Sequence, residues 1–442
     1  MSERVSGSEP RKLTDKELRQ LIFASVAGNA LEWYDFFLYG FVAALVFGQL
    51  FFPAGTDPLI GTLGAFAGFA MGFLARPLGG IVFAHIGDRY GRKGALVATL
   101  TIMGGATFLM GLLPTYAQIG IWAPILVVVL RVMQGIAAGG EWGGAVLLVT
   151  ENAPEKHKGF YSSFGQVGLS AGFLLAAAAF YLVQRLPQED FMSWGWRLPF
   201  LISILIFGVG VYIRSKVPES REFQKSAAAD NHHKMPLMEV IKRHPKEILV
   251  AMGLRVAENG GSYIFVAFSL AYGKYVGASG DTIMLALIFS FLIQLPILVG
   301  IGALSDRIGV WPLYMAGAVA LILFAFPFFW LIDANSTTSI FIAFIGANTV
   351  CFSLMNAVQP KLFSSLFDTE VRYSGLALGH EVASVFSGGL SPLIATALLG
   401  AYAASWPISL YLIFLGSVTV LTLILVKVSQ AKRAFGTTAP AE

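Results

Sequence analysis

The sequence predicts an all-α membrane protein, with twelve transmembrane helices in two pseudo-symmetric six-helix halves. Three observations predict it. Hydrophobic residues make up 56% of the 442 residues and charged residues only 13%, where a soluble domain carries about 25% charged residues. Mean hydropathy is +0.70. Apolar runs of membrane-spanning length recur twelve times. Finally, Asp88-Arg89-Tyr90-Gly91 returns as Asp306-Arg307-Ile308-Gly309, about half a chain length later and again between apolar runs. A repeat on that scale points to two related membrane halves.

The elements follow in order. Residues 1–20 are polar, without the apolar core and cleavage site of a signal peptide, and are expected to be a cytoplasmic tail. The apolar runs span 21–49, 59–86, 94–113, 120–150, 159–184, 196–215, 247–275, 282–304, 311–332, 338–366, 373–400 and 406–428. The first six form an N-terminal half, 21–215, and the last six a C-terminal half, 247–428. The polar stretch 216–246 links them, and 429–442 is a second tail. Several runs exceed 20 residues, so tilt is expected.

Topology follows from Lys and Arg. All but six of the 30 lie in segments on one side of the predicted membrane. Arg185, Arg197 and Lys274 sit at the other edge, among Asp57, Glu189, Asp190, Asp281 and Asp333. Positive charge collects in the cytoplasm, which places both termini and the linker there. The formal charge of +4 is spread over loops and makes no nucleic-acid face. One cysteine, Cys351, excludes an intramolecular disulfide and a Cys-based metal cluster. The pair His232-His233 sits in the linker without other ligands nearby and reads as solvated. No metal or cofactor is expected. Small-residue spacing at Gly61, Gly64, Gly68 and Gly72, and at Gly165, Gly168 and Gly172, predicts close helix packing.

The remaining charges lie inside the runs. An ionisable side chain at mid-bilayer costs about 2.5–3.5 kcal/mol or more, so it must face a cavity or a partner. In the first run Asn29, Glu32 and Trp33 share a face, and Asp35 and Tyr39 an adjacent one. Two carboxylates one turn apart repel in a low dielectric, which suits one of them to carrying a proton. The alternative is a structural ion pair, such as Asp35 with Arg76 of the second run. In the fourth run Arg131, Gln134, Ala138 and Glu141 form one stripe. Arg131 and Glu141 are about 15 Å apart along the axis and cannot pair directly. In the seventh run Arg255, Glu258, Asn259 and Ser262 form one polar face, followed by Tyr263. Gly260-Gly261 gives that helix a place to bend. The tenth run offers Asn356 and Gln359, and the eleventh His380-Glu381, where His380 is a candidate proton carrier. The fifth offers Ser162, Ser163 and Gln166.

The turn Ala84-His-Ile-Gly-Asp-Arg-Tyr-Gly-Arg-Lys93, with its echo at Gly302-Ala-Leu-Ser-Asp-Arg-Ile-Gly309, resembles the loop signature of the major facilitator superfamily between helices 2 and 3 and between 8 and 9. Ala84 replaces a usual Gly, and Val310-Trp311 stands where a basic pair would be. The resemblance implies gating by Asp88, Arg89, Gly91 and Arg92, with Asp306, Arg307 and Gly309 in the second copy. Glu151 is the implied latch partner, and Arg76 is grouped with these gating residues. Arg131-x-x-Gln134-Gly135 resembles the helix 4 motif linked to proton transfer. Gly28-Asn-Ala-Leu-Glu-Trp-Tyr-Asp-Phe36, Ala75-Arg-Pro-Leu-Gly-Gly80, Gly139-Gly-Glu-Trp-Gly-Gly144 and Ser193-Trp-Gly-Trp-Arg-Leu-Pro-Phe200 together look like the metabolite:proton symporter family of bacterial inner membranes, nearest its shikimate-type branch. That family also holds α-ketoglutarate, citrate and proline/betaine carriers. The fifth run lacks the G-P-x-x-G-G pattern of drug antiporters.

These readings converge on proton-coupled uptake of a small organic acid by alternating access, with the proton as coupling ion and a monomer in the inner membrane. Asn29, Trp33, Arg131, Gln134, Trp142, Arg255, Asn259 and Tyr263 are the candidate substrate residues. Glu32, Asp35, Glu141, Glu258, His380 and Glu381 are the candidate proton carriers. A zwitterion symporter of the proline/betaine kind, an efflux carrier and a membrane sensor are the alternatives. The osmolyte carriers of that family have a long C-terminal coiled coil, and no heptads follow the last run. No HExxH, Cys/His cluster or nucleotide loop marks an enzyme.

Overall fold

The computed structural model describes residues 15–90, 92–139, 149–150, 153–216, 241–367 and 372–436. Gly91, Glu141, Trp142, Glu151 and most of the linker, His232 and His233 included, lie outside the described residues. The side chains of Asp88, Arg89 and Arg92 also lie outside them, so the first Asp-Arg turn carries no structural account.

The described residues form twelve spanning segments. Helix α1 covers Asp15–Val42 and runs on through a π-helical turn, Ala43–Phe47. Then come α2 (Pro58–Tyr90), α3 (Arg92–Leu112), α4 (Trp122–Ala138), α5 (Lys158–Val183) and α6 (Leu198–Lys216). The second half repeats the plan. Helix α7 (Pro245–Tyr263) passes through a π-helical turn, Ile264–Phe268, into Ser269–Tyr275. Helices α8 (Gly280–Ile308) and α9 (Val310–Asp333) follow. Helix α10 starts as Thr337–Ile345 and ends as Gln359–Ser364 around a π-helical stretch, Gly346–Phe352. Helix α11 joins Arg372–Ser384 to Leu390–Tyr402 through Val385–Gly389, and α12 is Trp406–Gly436. The predicted runs are met within a few residues, except that α1 begins earlier, α12 ends later, and the second part of the run 120–150 lies largely outside the described residues. The π-helical turns of α1 and α7 fall at matching places, as a duplicated unit requires.

Among the described residues nine helices are long and apolar enough to cross a membrane, and α3 and α4 contribute shorter apolar helices. Helix α7 is not among them, because its interior carries Arg255, Glu258 and Asn259. Leu182, Leu205, Leu323, Trp330 and Phe414 stand exposed on the outside of the bundle. Such a surface is expensive in water and suited to lipid.

Glycine lets helices approach to backbone contact. A Cβ on Gly135 of α4 would lie 1.9 Å from the carbonyl oxygen of Gly72 on α2, and one on Gly172 of α5 would lie 2.4 Å from that of Ala30 on α1. Helix α7 stays α-helical through Gly260-Gly261, and a π-helical turn follows directly. The two glycines make room for neighbours, since a Cβ there would meet Leu415 at 2.7 Å and Leu321 at 3.0 Å.

The halves meet along two helix pairs. In the first, Ser170 of α5 donates to Gln294 of α8 at 2.9 Å, and Phe173 stacks on Phe291 at 3.7 Å between ring centres. In the second, Phe73 of α2 packs where Gly388 and Gly389 of α11 leave space: Cβ atoms there would come within 3.1 and 2.7 Å of it.

Candidate functional site

Three buried arginines organise the seam between the halves. The first is Arg131 of α4. Its Nη1 lies 3.3 Å from Oδ2 of Asp35 on α1 and donates to Oε1 of Gln134 at 2.9 Å. The Asp35 carboxylate also accepts from Thr107 at 2.5 Å and from Gln134 Nε2 at 2.6 Å. Rings of Tyr39, Phe36 and Phe69 lie 4.2, 4.9 and 5.5 Å from the guanidinium carbon. Cation–π attraction adds to the ion pair where water is excluded. Gly72 makes the space, for a Cβ there would stand 3.2 Å from Nε and from Nη2. Those two donors are buried without a hydrogen-bond partner. A charged group with open donors at membrane depth is poised for an anion.

The second is Arg76 of α2. The sequence offered Arg76 as partner for Asp35, and the structure corrects this: Asp35 belongs to Arg131. Arg76 instead lies 3.0 Å from Glu32 of its own half and 2.6 Å from Glu381 of the other. The rotation of α2 about its axis decides the pairing, and a list of charges does not contain it. His380 Nδ1 lies 2.9 Å from the same Glu381 carboxylate, so His380 and Glu381 act as a unit. This arginine joins the two halves.

The third is Arg255 of α7. It forms an ion pair with Glu258 one turn on, donates to Gln359 of α10 at 2.9 Å and reaches Asn259 at 3.2 Å. Gln359 closes the ring by donating to Glu258 at 2.9 Å. Asn259 donates to Ser387 of α11 at 3.1 Å. Ser262 turns back to the Asn259 carbonyl and stays local.

Aromatic side chains fill the middle. Tyr263 lies 6.5 Å from Trp33 in a stacked arrangement and 5.3 Å from both Phe69 and Phe73. The Trp33 indole nitrogen and the Tyr263 hydroxyl are buried without a hydrogen-bond partner. Left so, each costs about 1–3 kcal/mol, and a polar ligand would satisfy both. Asn29, by contrast, is committed to packing. Its amide donates to the Gly165 carbonyl of α5 at 2.6 Å.

At the other end of the seam lies the second Asp-Arg turn. Gly309, at φ +87°, links α8 to α9 as a single residue, a conformation that favours glycine. Asp306 accepts from the backbone amides of Gly159 and Phe160 at 2.7 and 3.0 Å and pairs with Lys361 at 2.7 Å. Its charge sits at the N-terminal end of α5, where the helix dipole favours an anion. Arg307 points to the outside. Sequence reasoning passed over Thr107, Phe36, Phe69, Phe73 and Lys361. Only Lys361, a lone cation at a helix end, carried a readable signal.

Charged and aromatic side chains buried along a seam between two helical halves define a membrane transporter. The fold is that of solved transporters: the xylose transporter of Escherichia coli, partially occluded and inward open, superposes with a TM-score of 0.70 at 17% identity over 93% of this chain and 97% of that one. The proton:xylose symporter bound to 6-bromo-6-deoxy-D-glucose gives 0.72 at 16% identity, over 93% and 95% of the two chains.

A family described as sugar (and other) transporter matches residues 21–237. The shikimate transporter of Escherichia coli K12 is 41% identical over 93% of this chain and 95% of that protein. An inner membrane metabolite transport protein of the same strain is 36% identical over 92% and 93%, and the proline/betaine transporter of Salmonella typhimurium 36% over 87% and 78%. The chain therefore belongs to the sugar (and other) transporter family of the major facilitator superfamily, and within it to the metabolite carriers that the sequence motifs resemble. It is a transporter and not an enzyme.

Proposed function

We propose that the protein takes up a small organic acid together with a proton by alternating access. The observation that carries this reading is the Arg131 site: a buried guanidinium with two open donors, paired through its third nitrogen to Asp35. The open donors suit a substrate carboxylate. Asp35 needs Arg131 while ionised. A substrate anion that draws Arg131 away leaves the carboxylate to take a proton, so substrate and proton bind together. Trp33 and Tyr263 supply donors for the hydroxyl or carbonyl groups of a hydroxylated acid, as the 41% identical shikimate transporter suggests by its name.

In this reading the halves 21–215 and 247–428 rock about the site. The linker 216–246 and the tails 1–20 and 429–442 lie in the cytoplasm of a bacterium, with the bundle in its inner membrane as a monomer. Asp306, seated on α5, closes the cytoplasmic side.

A second reading is a zwitterionic osmolyte. The cluster of Trp33, Phe69, Phe73 and Tyr263 would accept a quaternary ammonium group by cation–π contact, and the 36% identical proline/betaine transporters give it weight. Uptake of labelled shikimate, a dicarboxylate, proline and betaine into proteoliposomes, with an inward proton gradient and with a protonophore, tests both. Saturable uptake of an acid that collapses with the protonophore supports the first reading. Uptake of betaine alone replaces it with the second, and uptake of none rejects both.

A further inference from the structure

Arg76 is the one described cation that pairs with a carboxylate of each half inside the bundle. It, Glu32, Glu381 and His380 are all buried. Phe36 and Phe73 lie 4.9 and 5.3 Å from its guanidinium carbon and keep water away. Other charges face the cluster from the packed helices. From α7, Arg255 faces His380 and Glu381 but is neutralised by Glu258, and Tyr263 faces Arg76. From α4, Arg131 faces Arg76 and is itself paired with Asp35.

The pairing is lopsided in a useful way. When α2 and α11 part, Arg76 leaves with Glu32 as a neutral pair. Glu381 leaves with His380 and loses its arginine. An ionised carboxylate without a cation at that depth is unfavourable, whereas a protonated Glu381–His380 pair is neutral. Protons therefore favour the parted state and their absence the joined one, by linkage. Arg76 stands 14 residues from the Tyr90 end of α2, and Glu381 stands 9 residues from the Arg372 start of α11, about 21 and 14 Å from the helix ends facing the proposed cytoplasm and nearer to those ends than to the opposite ones.

We propose that Arg76 and Glu381 form an acid-released latch that holds α2 to α11 on the cytoplasmic side, with the Glu381–His380 pair as its proton acceptor. The proton comes from solution and binds either the carboxylate or the imidazole, and no bond other than the Arg76 ion pair is broken. The latch deepens the proton-coupled reading above and rests on it. It adds a gate distinct from Asp35.

The test uses the full chain in proteoliposomes. Cys351→Ser removes the single cysteine. Ser163→Cys then places a reporter thiol on α5, in a buried position where a Cβ on Gly302 of α8 would lie 2.6 Å away. The thiol reacts only when the cytoplasmic side opens. Its labelling rate is normalised at each pH to the same thiol in the unfolded chain. The parent should label about tenfold faster near pH 6 than near pH 8. Glu381→Gln, with nothing left to hold, should label fast at both. Glu32→Gln leaves Arg76 wholly to Glu381 and should label slowly at both.

A plain structural ion pair would not move these two near-isosteric variants in opposite directions. A parent rate that ignores pH, or a Glu381→Gln variant that follows the parent, overturns the latch. Proton-driven uptake is measured in the same vesicles. Uptake that persists while labelling ignores pH removes the latch alone. A pH-dependent parent rate with opposite shifts in the two variants, but no uptake of any acid, keeps the latch and removes the symport reading.

Discussion

Arg131 on α4 and Asp35 on α1 meet at 3.3 Å in a part of the bundle where neither has measurable exposure. The carboxylate is held from three sides, by Arg131, Thr107 and Gln134. A buried ion pair of this kind is weak evidence for stability, because desolvation offsets most of the Coulombic gain. It is better explained by work that requires the pair to part. Removing one partner leaves an uncompensated buried charge, which typically costs about 3–5 kcal/mol. Both Arg131→Ala and Asp35→Asn should lower the melting temperature in detergent, Asp35→Asn by less, since its amide keeps the shape and can still accept from Thr107 and Arg131; Arg131→Ala should also abolish uptake. Fluorescence-monitored unfolding and size-exclusion profiles of the two variants check this.

Gly72 provides the pocket for the Arg131 guanidinium, and Gly135 sits against its backbone. Gly135→Ala forces α2 and α4 apart and should cost about 1–3 kcal/mol, the usual range for overpacking. Gly72→Ala should perturb uptake more than stability, since the two nearest atoms belong to the Arg131 guanidinium and the one backbone oxygen nearby would stand at 3.3 Å, against 1.9 Å for Gly135. Gly208, where an added Cβ would meet nothing within 4 Å, is the control, and Gly208→Ala should leave both unchanged. Thermal unfolding and initial uptake rates separate the three.

Tyr263 and Trp33 each bury a donor with no hydrogen-bond partner. If these donors wait for substrate, Tyr263→Phe should leave thermal stability unchanged or slightly raised while weakening substrate binding by roughly tenfold, about the value of one hydrogen bond to a polar ligand. Isothermal titration of the preferred acid measures the second effect. An unchanged affinity would return Tyr263 to a packing role.

Asp306 ties the C-terminal end of α8 to the first amides of α5 and to Lys361. Hydrogen bonds to a charged acceptor are worth about 1.5–3 kcal/mol each. Asp306→Asn should therefore populate the form open on that side, with faster modification of the Ser163→Cys thiol at every pH. Because Asp306 is not the proton acceptor proposed for the gate, the slope with pH should remain.

Much of the site is legible in the sequence, and the reason differs by residue. Arg255 with Glu258 and Asn259 can be read directly, because residues three and four apart on a helix meet whatever surrounds it. The grouping of Arg131 with Gln134 is readable for the same reason. Which acid each arginine takes is not, because that depends on how α1, α2, α4 and α11 are rotated against one another. Asp35 was offered to Arg76, which goes instead to Glu32 and Glu381.

Thr107 gives no signal. A threonine in an apolar helix satisfies itself on the carbonyl four residues back, as Thr107 does with Met103 at 2.8 Å, and reads as filler. Phe36, Phe69 and Phe73 look like any lipid-facing aromatic residues until the seam places them around two guanidinium groups. Asn29 shares a helix face with Glu32, yet it serves α5, whose Gly165 carbonyl it reaches.

The most direct test of the central claim compares accumulation with exchange in Asp35→Asn. Parent proteoliposomes should concentrate the preferred acid when an inward proton gradient is imposed, and should exchange it in counterflow without one. Asp35→Asn should keep counterflow within about threefold of the parent and lose gradient-driven accumulation, since exchange needs binding and alternating access but no change of protonation. Accumulation by Asp35→Asn at the parent level would contradict the assignment of Asp35 as the carboxylate that Arg131 releases to the proton.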